Sequence, residues 1–306
     1  MRKAKGYVLI SGGLDSQLAV RLLQNAGAEV EALCFETPFF SSQAARKAAA
    51  ALGVPLTVVD FTEDEVALIE NPPHGFGGAM NPCIDCHARM IRRAGARMAE
   101  AGFDFVATGE VMGQRPMSQN KQSLAVVARE SGLEGRLIRP LSARLLEPTL
   151  PETEGLVDRT KLLDISGRSR ERQIALAAEF GIVDYPSPAG GCKLTEEGYS
   201  RKLRDLLEHE GLHTRRLLEL LRVGRHFRLP DGSALIMGRD ANENAILEAE
   251  SARGTLFDCG DLPGPTSLLL DGGKSPADRE MAQRITLSYA KGHEAERARY
   301  KEFHIC

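Results

Sequence analysis

Short apolar runs alternate with segments of helical periodicity along the first third of the chain. The apolar runs predict strands, and the stretches between them, whose apolar positions recur every three to four residues, predict helices. The predicted strands cover 7–10, 29–35, 56–60 and 104–108, and the predicted helices cover 16–26, 41–52 and 84–101. Strands that alternate with helices form a parallel sheet with helices on both faces. The pattern therefore predicts an α/β fold with a doubly wound parallel sheet, whose ligands bind at the carboxyl ends of the strands.

A second, smaller α+β domain is predicted towards the end of the chain. Two helical segments precede a pair of apolar runs that the turn Pro230-Asp231-Gly232 joins into a hairpin. A further strand-like run and a helical pattern over 276–290 complete the domain. We expect a first domain over 1–195, a basic helical linker over 196–222 and a second domain over 223–306.

The turn between the first predicted strand and helix has the composition of a phosphate site. It reads Ser11-Gly12-Gly13-Leu14-Asp15-Ser16. The glycines allow positive φ and close approach of an anion, and the helix start aims backbone N–H groups at it. Ser11, Asp15 and Ser16 add hydroxyls and a carboxylate for phosphate oxygens and Mg²⁺. The turn lacks the Gly-Lys-Ser/Thr ending of a Walker A loop, and the alternative is an ordinary strand–helix corner.

Composition indicates the class of protein and the cellular compartment in which it works. The 306 residues are 42% hydrophobic and 26% charged, which is typical of globular proteins. Four apolar residues before the glycines are too few for a signal peptide, and no run approaches the ~20 apolar residues of a membrane span. A cytoplasmic protein without membrane contact is therefore expected. In that compartment cysteines serve catalysis or metal binding more often than disulfides.

Three of the six cysteines form a candidate reactive group. Cys83 and Cys86 stand in the first turn of the predicted helix 84–101, whose N-terminus favours thiolates, and Cys192 follows two glycines. Three cysteines suit a [4Fe–4S] cluster with one open iron, or a persulfide-carrying cysteine with a resolving partner. The alternative for Cys83 and Cys86 is a pair of half-buried thiols. The remaining cysteines, expected in the core or without a role, are Cys34, Cys259 and Cys306.

These motifs together resemble the tRNA sulfurtransferases over about residues 6–195. The Cys-x-x-Cys-His-Ala-Arg-Met run and the Gly-Glu-x-x-Gly-Gln…Ser-Gln stretch at 109–119 are most similar to 4-thiouridine synthetase, and the order of the parts also resembles the tRNA 2-thiouridylases. The resemblance implies an adenine nucleotide alpha-hydrolase-like fold in which the Ser11–Ser16 loop binds ATP. It also implies that Phe35 lies beside the adenine through its backbone and that Gly109 packs close to the nucleotide.

The same resemblance implies roles for the cysteines. Cys192 matches the cysteine that carries or delivers sulfur, and Cys86 matches its partner. Cys83 matches a third cysteine that cluster-dependent members of the sulfurtransferase superfamily carry. This match favours a [4Fe–4S] cluster held by Cys83, Cys86 and Cys192 over a persulfide.

Residues 223–306 are similar to the RNA-binding module of ribosome-associated quality-control factors. The similarity rests on Val223-Gly224-Arg225-His226-Phe227 and on the segment 237–244. Residues 199–228 carry eight Lys or Arg against four Asp or Glu, and Arg168, Arg170 and Arg172 form a second basic group. Such patches suit RNA phosphates, whereas the alternative is a solvated helix face with ion pairs.

The sequence therefore predicts ATP-dependent thiolation of a tRNA uridine. The expected cofactors are ATP, Mg²⁺ and a [4Fe–4S] cluster, and the expected partners are tRNA and a sulfur donor, either sulfide or a cysteine desulfurase or persulfide carrier. Two alternatives stay open: another adenylating enzyme whose cysteines hold zinc, and a non-enzymatic RNA-binding factor that senses a nucleotide.

Overall fold

The computed structural model describes residues 2–187 and 191–305, which divide into two units over 1–193 and 194–306. Residues 196–222, expected to be a linker, lie within the second unit. Cys306 and Gly190, the first of the two glycines before Cys192, lie outside the described residues. In the described parts of the chain, no helix combines the length and apolar character needed to cross a bilayer.

The first unit is built on a five-stranded sheet in the order β3-β2-β1-β4-β5, and every pair of neighbouring strands is parallel. The strands are β1 (Lys5–Leu9), β2 (Glu29–Glu36), β3 (Leu56–Asp60), β4 (Phe105–Ala107) and β5 (Leu137–Ile138). The helices are α1 (Leu14–Asn25), α2 (Gln43–Leu52), α3 (Thr62–Glu70), α4 (Cys83–Glu100), α5 (Lys121–Ser131), α6 (Leu150–Thr153) and α7 (Glu171–Glu179). The predicted doubly wound α/β fold is confirmed.

Apolar side chains alternate between the two faces of this sheet. On β1, Val8 packs with α1, α2 and α7, whereas Tyr7 packs with α3, α4 and α5 on the opposite face. Cys34 lies in the first of these cores, where burial raises its thiol pKa to about 11. The strand order reverses between β1 and β4, which places a ligand crevice at the carboxyl ends of these two strands.

The second unit has a four-stranded antiparallel sheet in the order β6-β7-β9-β8. Its strands are β6 (Arg225–Arg228), β7 (Ala234–Met237), β8 (Gly254–Phe257) and β9 (Ser267–Leu270), and its helices are α8 (Glu197–His209), α9 (Arg215–Leu220), α10 (Ala241–Glu248) and α11 (Pro276–Ser288). Strands β6 and β7 form the predicted hairpin. Leu220 of α9 packs beside Ile236 and Leu268 in the core of this unit, so the basic segment before β6 is part of the fold.

Candidate active site

The loop that follows β1 presents an open helix N-terminus. Helix α1 begins at Leu14, two residues earlier than predicted, and no side chain caps it. Gly12 has φ of +84°, and a Cβ there would lie 2.6 Å from the carbonyl oxygen of Ala44 on α2. Only glycine fits this position, and the uncapped N–H groups of the first turn are available to an anion.

Gly109 brings the end of β4 against this loop. A Cβ on Gly109 would lie 2.6 Å from the backbone nitrogen of Ser16 and 2.7 Å from the carbonyl carbon of Asp15. The backbones of the two segments are therefore in direct contact at the reversal of strand order. The roles of Gly109 and Phe35 beside a nucleotide stay predictions. The Phe35 ring itself is buried, with its centroid 5.3 Å from that of Phe61.

Asp15 has the properties of a metal-binding carboxylate. Its Oδ2 atom accepts a hydrogen bond of 3.1 Å from Nε2 of Gln114, whereas its buried Oδ1 atom has no hydrogen-bond partner among the described residues. Burial raises the pKa of Asp15, and the Gln114 bond and the charges of Arg170 and Arg115 oppose that rise. An unpartnered carboxylate oxygen beside an anion site fits Mg²⁺, which binds through one or two carboxylates and phosphate oxygens.

Arg170 also belongs to this site by position. The sequence grouped it with Arg168 and Arg172 as an RNA contact, but its charge acts on Asp15, and its buried Nε atom has no partner in the described parts of the chain. Arg172 instead forms a 2.8 Å ion pair with Asp164. A guanidinium near the loop can neutralise part of the charge of a polyphosphate.

The three predicted cysteines lie near one another. Helix α4 begins at Cys83, whose sulfur accepts a hydrogen bond of 3.1 Å from Nδ2 of Asn81. Cys86 is buried one turn further along, and both Cys83 and Cys192 lie close enough to affect its ionisation. The structure therefore brings together cysteines that are more than 100 residues apart in the sequence.

The expectation that the helix N-terminus favours a thiolate at Cys86 is wrong. Burial raises the pKa of Cys86 well above its ordinary value, and the charge of Glu65 raises it further. The thiol donates a hydrogen bond to the Glu65 carboxyl, which lies on the first turn of α3 and is itself almost completely buried. Desolvation and a neighbouring carboxylate outweigh the helix N-terminus here.

The predicted [4Fe–4S] cluster is not supported by the described residues. Within residues 2–187 and 191–305, no three His, Cys, Asp or Glu side chains are grouped so that they could hold a metal ion. In this structure the buried Cys86 thiol is hydrogen-bonded to Glu65, and its pKa lies above the ordinary value of a cysteine. The alternative expected of these cysteines, exchange between sulfur atoms, stays a prediction.

A network of ion pairs joins helix α4 to the loop after β4. The Oε1 atom of Glu110 lies 2.9 Å from Nδ1 of His87, and its Oε2 atom accepts hydrogen bonds from Nε of Arg139 at 2.8 Å and from Oγ1 of Thr108 at 3.0 Å. Burial alone would raise the pKa of Glu110, but Arg139 and His87 hold it far below its ordinary range. His87 follows Cys86 directly, and Glu110 follows Gly109. A side-chain contact therefore joins the residue after Cys86 to the residue after Gly109.

Sequence reasoning gave no role to three of these residues. Glu110 and His87 stand inside the motifs that carried the resemblance, next to Gly109 and Cys86, so their positions were an available signal. Glu65 offered none, because it is one of three consecutive acidic residues, and only the tertiary fold shows that it is the buried one.

The pKa of Glu65 leads to a prediction for stability. Burial raises this pKa from 4.5 to about 7, so the folded protein binds a proton there that the unfolded chain releases. Stability from this group is complete below pH 4.5 and is lost as the pH rises through 7. At 1.36 kcal/mol per pKa unit, the loss is about 3 kcal/mol. Glu65→Gln should remove this decline, as measured by urea unfolding between pH 5 and pH 8.

The exposed Glu63 on the same helix provides the control for this prediction. Glu63→Gln makes the same change in charge without burial, so it should keep the decline of the wild type. If Glu65→Gln and wild type lose stability equally with rising pH, Glu65 does not titrate in this way.

Comparisons with known proteins agree with the motifs. Residues 2–144 match the family described as Thiamine biosynthesis protein (ThiI), and residues 224–303 match the NFACT protein RNA binding domain. A tRNA-specific 2-thiouridylase MnmA of Roseiflexus sp. (strain RS-1) is 28% identical over 259 residues, covering 74% of this chain and 68% of that protein. A probable tRNA sulfurtransferase of Caldanaerobacter subterraneus is 32% identical over 146 residues, covering 45% of this chain and 36% of that protein.

A solved structure is also similar. It is the crystal structure of a 4-thiouridine synthetase–RNA complex with bound ATP, at 20% identity and a TM-score of 0.41, covering 71% of this chain and 53% of that chain. The expected resemblance to tRNA sulfurtransferases, with an RNA-binding module at the C-terminus, is confirmed by the sequence comparisons.

Proposed function

We propose that this chain, whose residues 2–144 form a domain of the Thiamine biosynthesis protein (ThiI) family, is an ATP-dependent tRNA sulfurtransferase that thiolates a uridine. One observation carries the proposal. The anion site at Asp15 and Ser16 contacts Gly109, and Glu110 reaches His87, the neighbour of Cys86. These contacts support a polyphosphate site and a reactive-sulfur site in neighbouring parts of the first unit. The tRNA-modifying relatives and the match to an RNA-binding domain support tRNA as the substrate.

In the first step the uracil carbonyl oxygen attacks the α-phosphorus of ATP. The bond to the β-phosphate oxygen breaks, pyrophosphate leaves, and the base becomes adenylated. The N–H groups of α1 and the Arg170 guanidinium stabilise the charge on the phosphates. Asp15 would hold Mg²⁺, which supplies further neutralisation of that charge. The uridine must be flipped out or lie in a loop, because a stacked base cannot reach the sheet edge.

In the second step sulfur replaces AMP. The terminal sulfur of a persulfide on Cys192 attacks the adenylated carbon, and AMP leaves with the electron pair of the C–O bond. The Cys86 sulfur then attacks the Cys192 sulfur, the bond to the transferred sulfur breaks, and a Cys86–Cys192 disulfide forms. Glu65, which is hydrogen-bonded to the Cys86 thiol, is placed to accept its proton. A thiol reductant restores the pair, and a cysteine desulfurase or persulfide carrier then transfers its outer sulfur to the Cys192 thiolate, with the donor's own cysteine leaving as a thiolate. Sulfide would instead reload Cys192 by attacking its sulfur in the Cys86–Cys192 disulfide, with Cys86 leaving as the thiolate. A cytoplasmic location, where ATP and tRNA are available, is part of this proposal.

The proposal is tested with purified protein, an unmodified tRNA transcript, Mg²⁺, ATP and a sulfur donor. We expect AMP and pyrophosphate to appear only with tRNA, and mass spectrometry of digested tRNA to show a thiolated uridine. Pyrophosphate without a change in tRNA nucleosides would favour another adenylating enzyme. Absence of pyrophosphate release with every tRNA would favour the nucleotide-sensing RNA-binding factor.

A further inference from the structure

Most arginines of the basic segment 199–228 already have carboxylate partners. Arg201 pairs with Glu197 at 3.2 Å, Arg215 with Glu219 at 3.2 Å, and Arg216 with Glu219 and Glu250 at 2.8 and 2.7 Å. Arg228 is largely buried between Asp205 and Glu210. A compensated arginine attracts phosphate less, because binding must first break its existing pair. The sequence shows a net positive charge in this segment, but ion pairs with nearby carboxylates neutralise much of that charge in the structure.

Two other arginines of the second unit share an aromatic partner instead. The guanidinium carbon of Arg225 lies 5.1 Å from the ring centroid of Tyr289, and that of Arg297 lies 4.8 Å from the same centroid. Arg225 also donates one hydrogen bond, of 3.4 Å, to the carbonyl oxygen of Gly238. Among the described residues Arg225 has no ion pair with a carboxylate, and the pair of Arg297 with Glu294 is long, at 3.9 Å.

The backbone explains why Arg225 stands where it does. Gly224 has φ of +65°, and its Cα approaches the Met237 carbonyl so closely that a Cβ would lie 2.7 Å from that carbonyl carbon. Arg225 and Met237 are register partners at the start of β6 and the end of β7. The two segments that suggested an RNA-binding module, 223–227 and 237–244, therefore meet at this point.

Guanidinium groups stacked on a ring are well suited to RNA. An arginine has five N–H donors in a planar fork, and Arg225 donates through one of them to the carbonyl oxygen of Gly238. The ring fixes the side chain, so less conformational entropy is lost when a phosphate binds. A protein surface that combines aromatic rings with arginines is typical of single-stranded RNA sites.

We infer that Arg225, Tyr289 and Arg297 form the RNA-contacting surface of the second unit, here termed the Arg225 surface, and that its two guanidiniums bind backbone phosphates. The choice of RNA among polyanions rests on the proposed function. The ion-paired helices α8 and α9 are not the main contact.

The test is tRNA binding by the full chain, without ATP, as a function of salt concentration. The double variant Arg225→Gln, Arg297→Gln should bind an unmodified tRNA transcript about ten- to a hundredfold more weakly at ~0.1 M salt, and the slope of log affinity against log salt should fall by about two. The matched control is Arg279→Gln, Arg284→Gln on α11. Both residues are exposed, and replacing them changes the net charge by the same amount as the double variant does. Arg284 is paired with Glu280. The control should change the slope by well under one.

Two substitutions of Tyr289 distinguish a loss of RNA binding from a loss of folding. Tyr289→Phe keeps the ring and should keep the salt slope, with thermal unfolding as the check that the unit is intact. Tyr289→Leu removes the ring and should weaken tRNA binding. If the double variant keeps the wild-type slope while Arg215→Glu, Arg216→Glu loses it, the Arg225 surface is not the RNA contact. Because binding is measured without turnover, a protein that binds tRNA through this surface but never thiolates it would refute the proposed function alone.

Discussion

Asp15→Asn is expected to lower pyrophosphate release by at least about 100-fold while leaving the protein folded. The variant keeps an oxygen that can accept the hydrogen bond from Gln114, but it loses the negative charge that the unpartnered Oδ1 atom offers to Mg²⁺. Removing a group that stabilises the charge of a transition state typically costs about 10²-fold or more. AMP formation, followed with tRNA and ATP, measures the effect.

The same substitution should not destabilise the protein. Burial raises the pKa of Asp15, so the ionised carboxylate is less stable in the folded state than in the unfolded chain. That cost grows as the pH rises through the folded-state pKa, and asparagine does not carry it. Thermal unfolding at neutral pH should therefore show Asp15→Asn to be at least as stable as the wild type.

Asp164→Asn is the control for this prediction. Asp164 is an exposed carboxylate of the same unit, paired with Arg144 and Arg172. Its replacement changes the net charge equally, and it should leave AMP formation close to the wild-type rate. Wild-type AMP formation by Asp15→Asn would mean that the loop after β1 does not position the nucleotide through this carboxylate.

The parts of the site that are local in sequence could be predicted, and the parts that depend on tertiary contacts could not. The Ser11–Ser16 loop was readable because glycine and a strand–helix transition are local signals, and the parallel sheet followed from the alternation of elements. Strand β5 has two residues, too few to show a period. Helix α3 has three acidic residues in its first turn, which hides the apolar face formed by Val66, Leu68 and Ile69.

The errors share a physical cause, which is that charge and thiol chemistry depend on burial. A helix N-terminus lowers a thiol pKa in water, but Cys86 is buried against Glu65, 21 residues earlier in the chain. In the same way, the positive charge of residues 199–228 is evident in the sequence, whereas the carboxylates that pair with Arg216 and Arg228 include Glu250 and Asp205 on other elements.

The second large effect is expected on tRNA thiolation when the cysteines are replaced. Cys192→Ser and Cys86→Ser should each reduce tRNA thiolation by at least about 1,000-fold, because a hydroxyl can neither carry a persulfide nor resolve one. Cys83→Ser should keep activity within about tenfold of the wild type, since the Cys83 sulfur accepts a hydrogen bond from Asn81 that a serine oxygen can also accept. Cys259→Ser, in the second unit, is the control for the loss of one buried thiol.

The same variants decide between sulfur exchange and a cluster. If Cys192 carries the persulfide, mass spectrometry after loading with a sulfur donor should find one extra sulfur on Cys192, and a Cys86–Cys192 disulfide should accumulate after a single turnover without reductant. A [4Fe–4S] cluster would instead give a brown protein after anaerobic purification, with iron and sulfide lost on replacing any one of Cys83, Cys86 and Cys192. Cys83→Ser separates the two most sharply. A cluster loses an iron ligand in that variant, whereas the protein groups that the exchange route uses are Cys86, Cys192 and Glu65, which the substitution leaves in place.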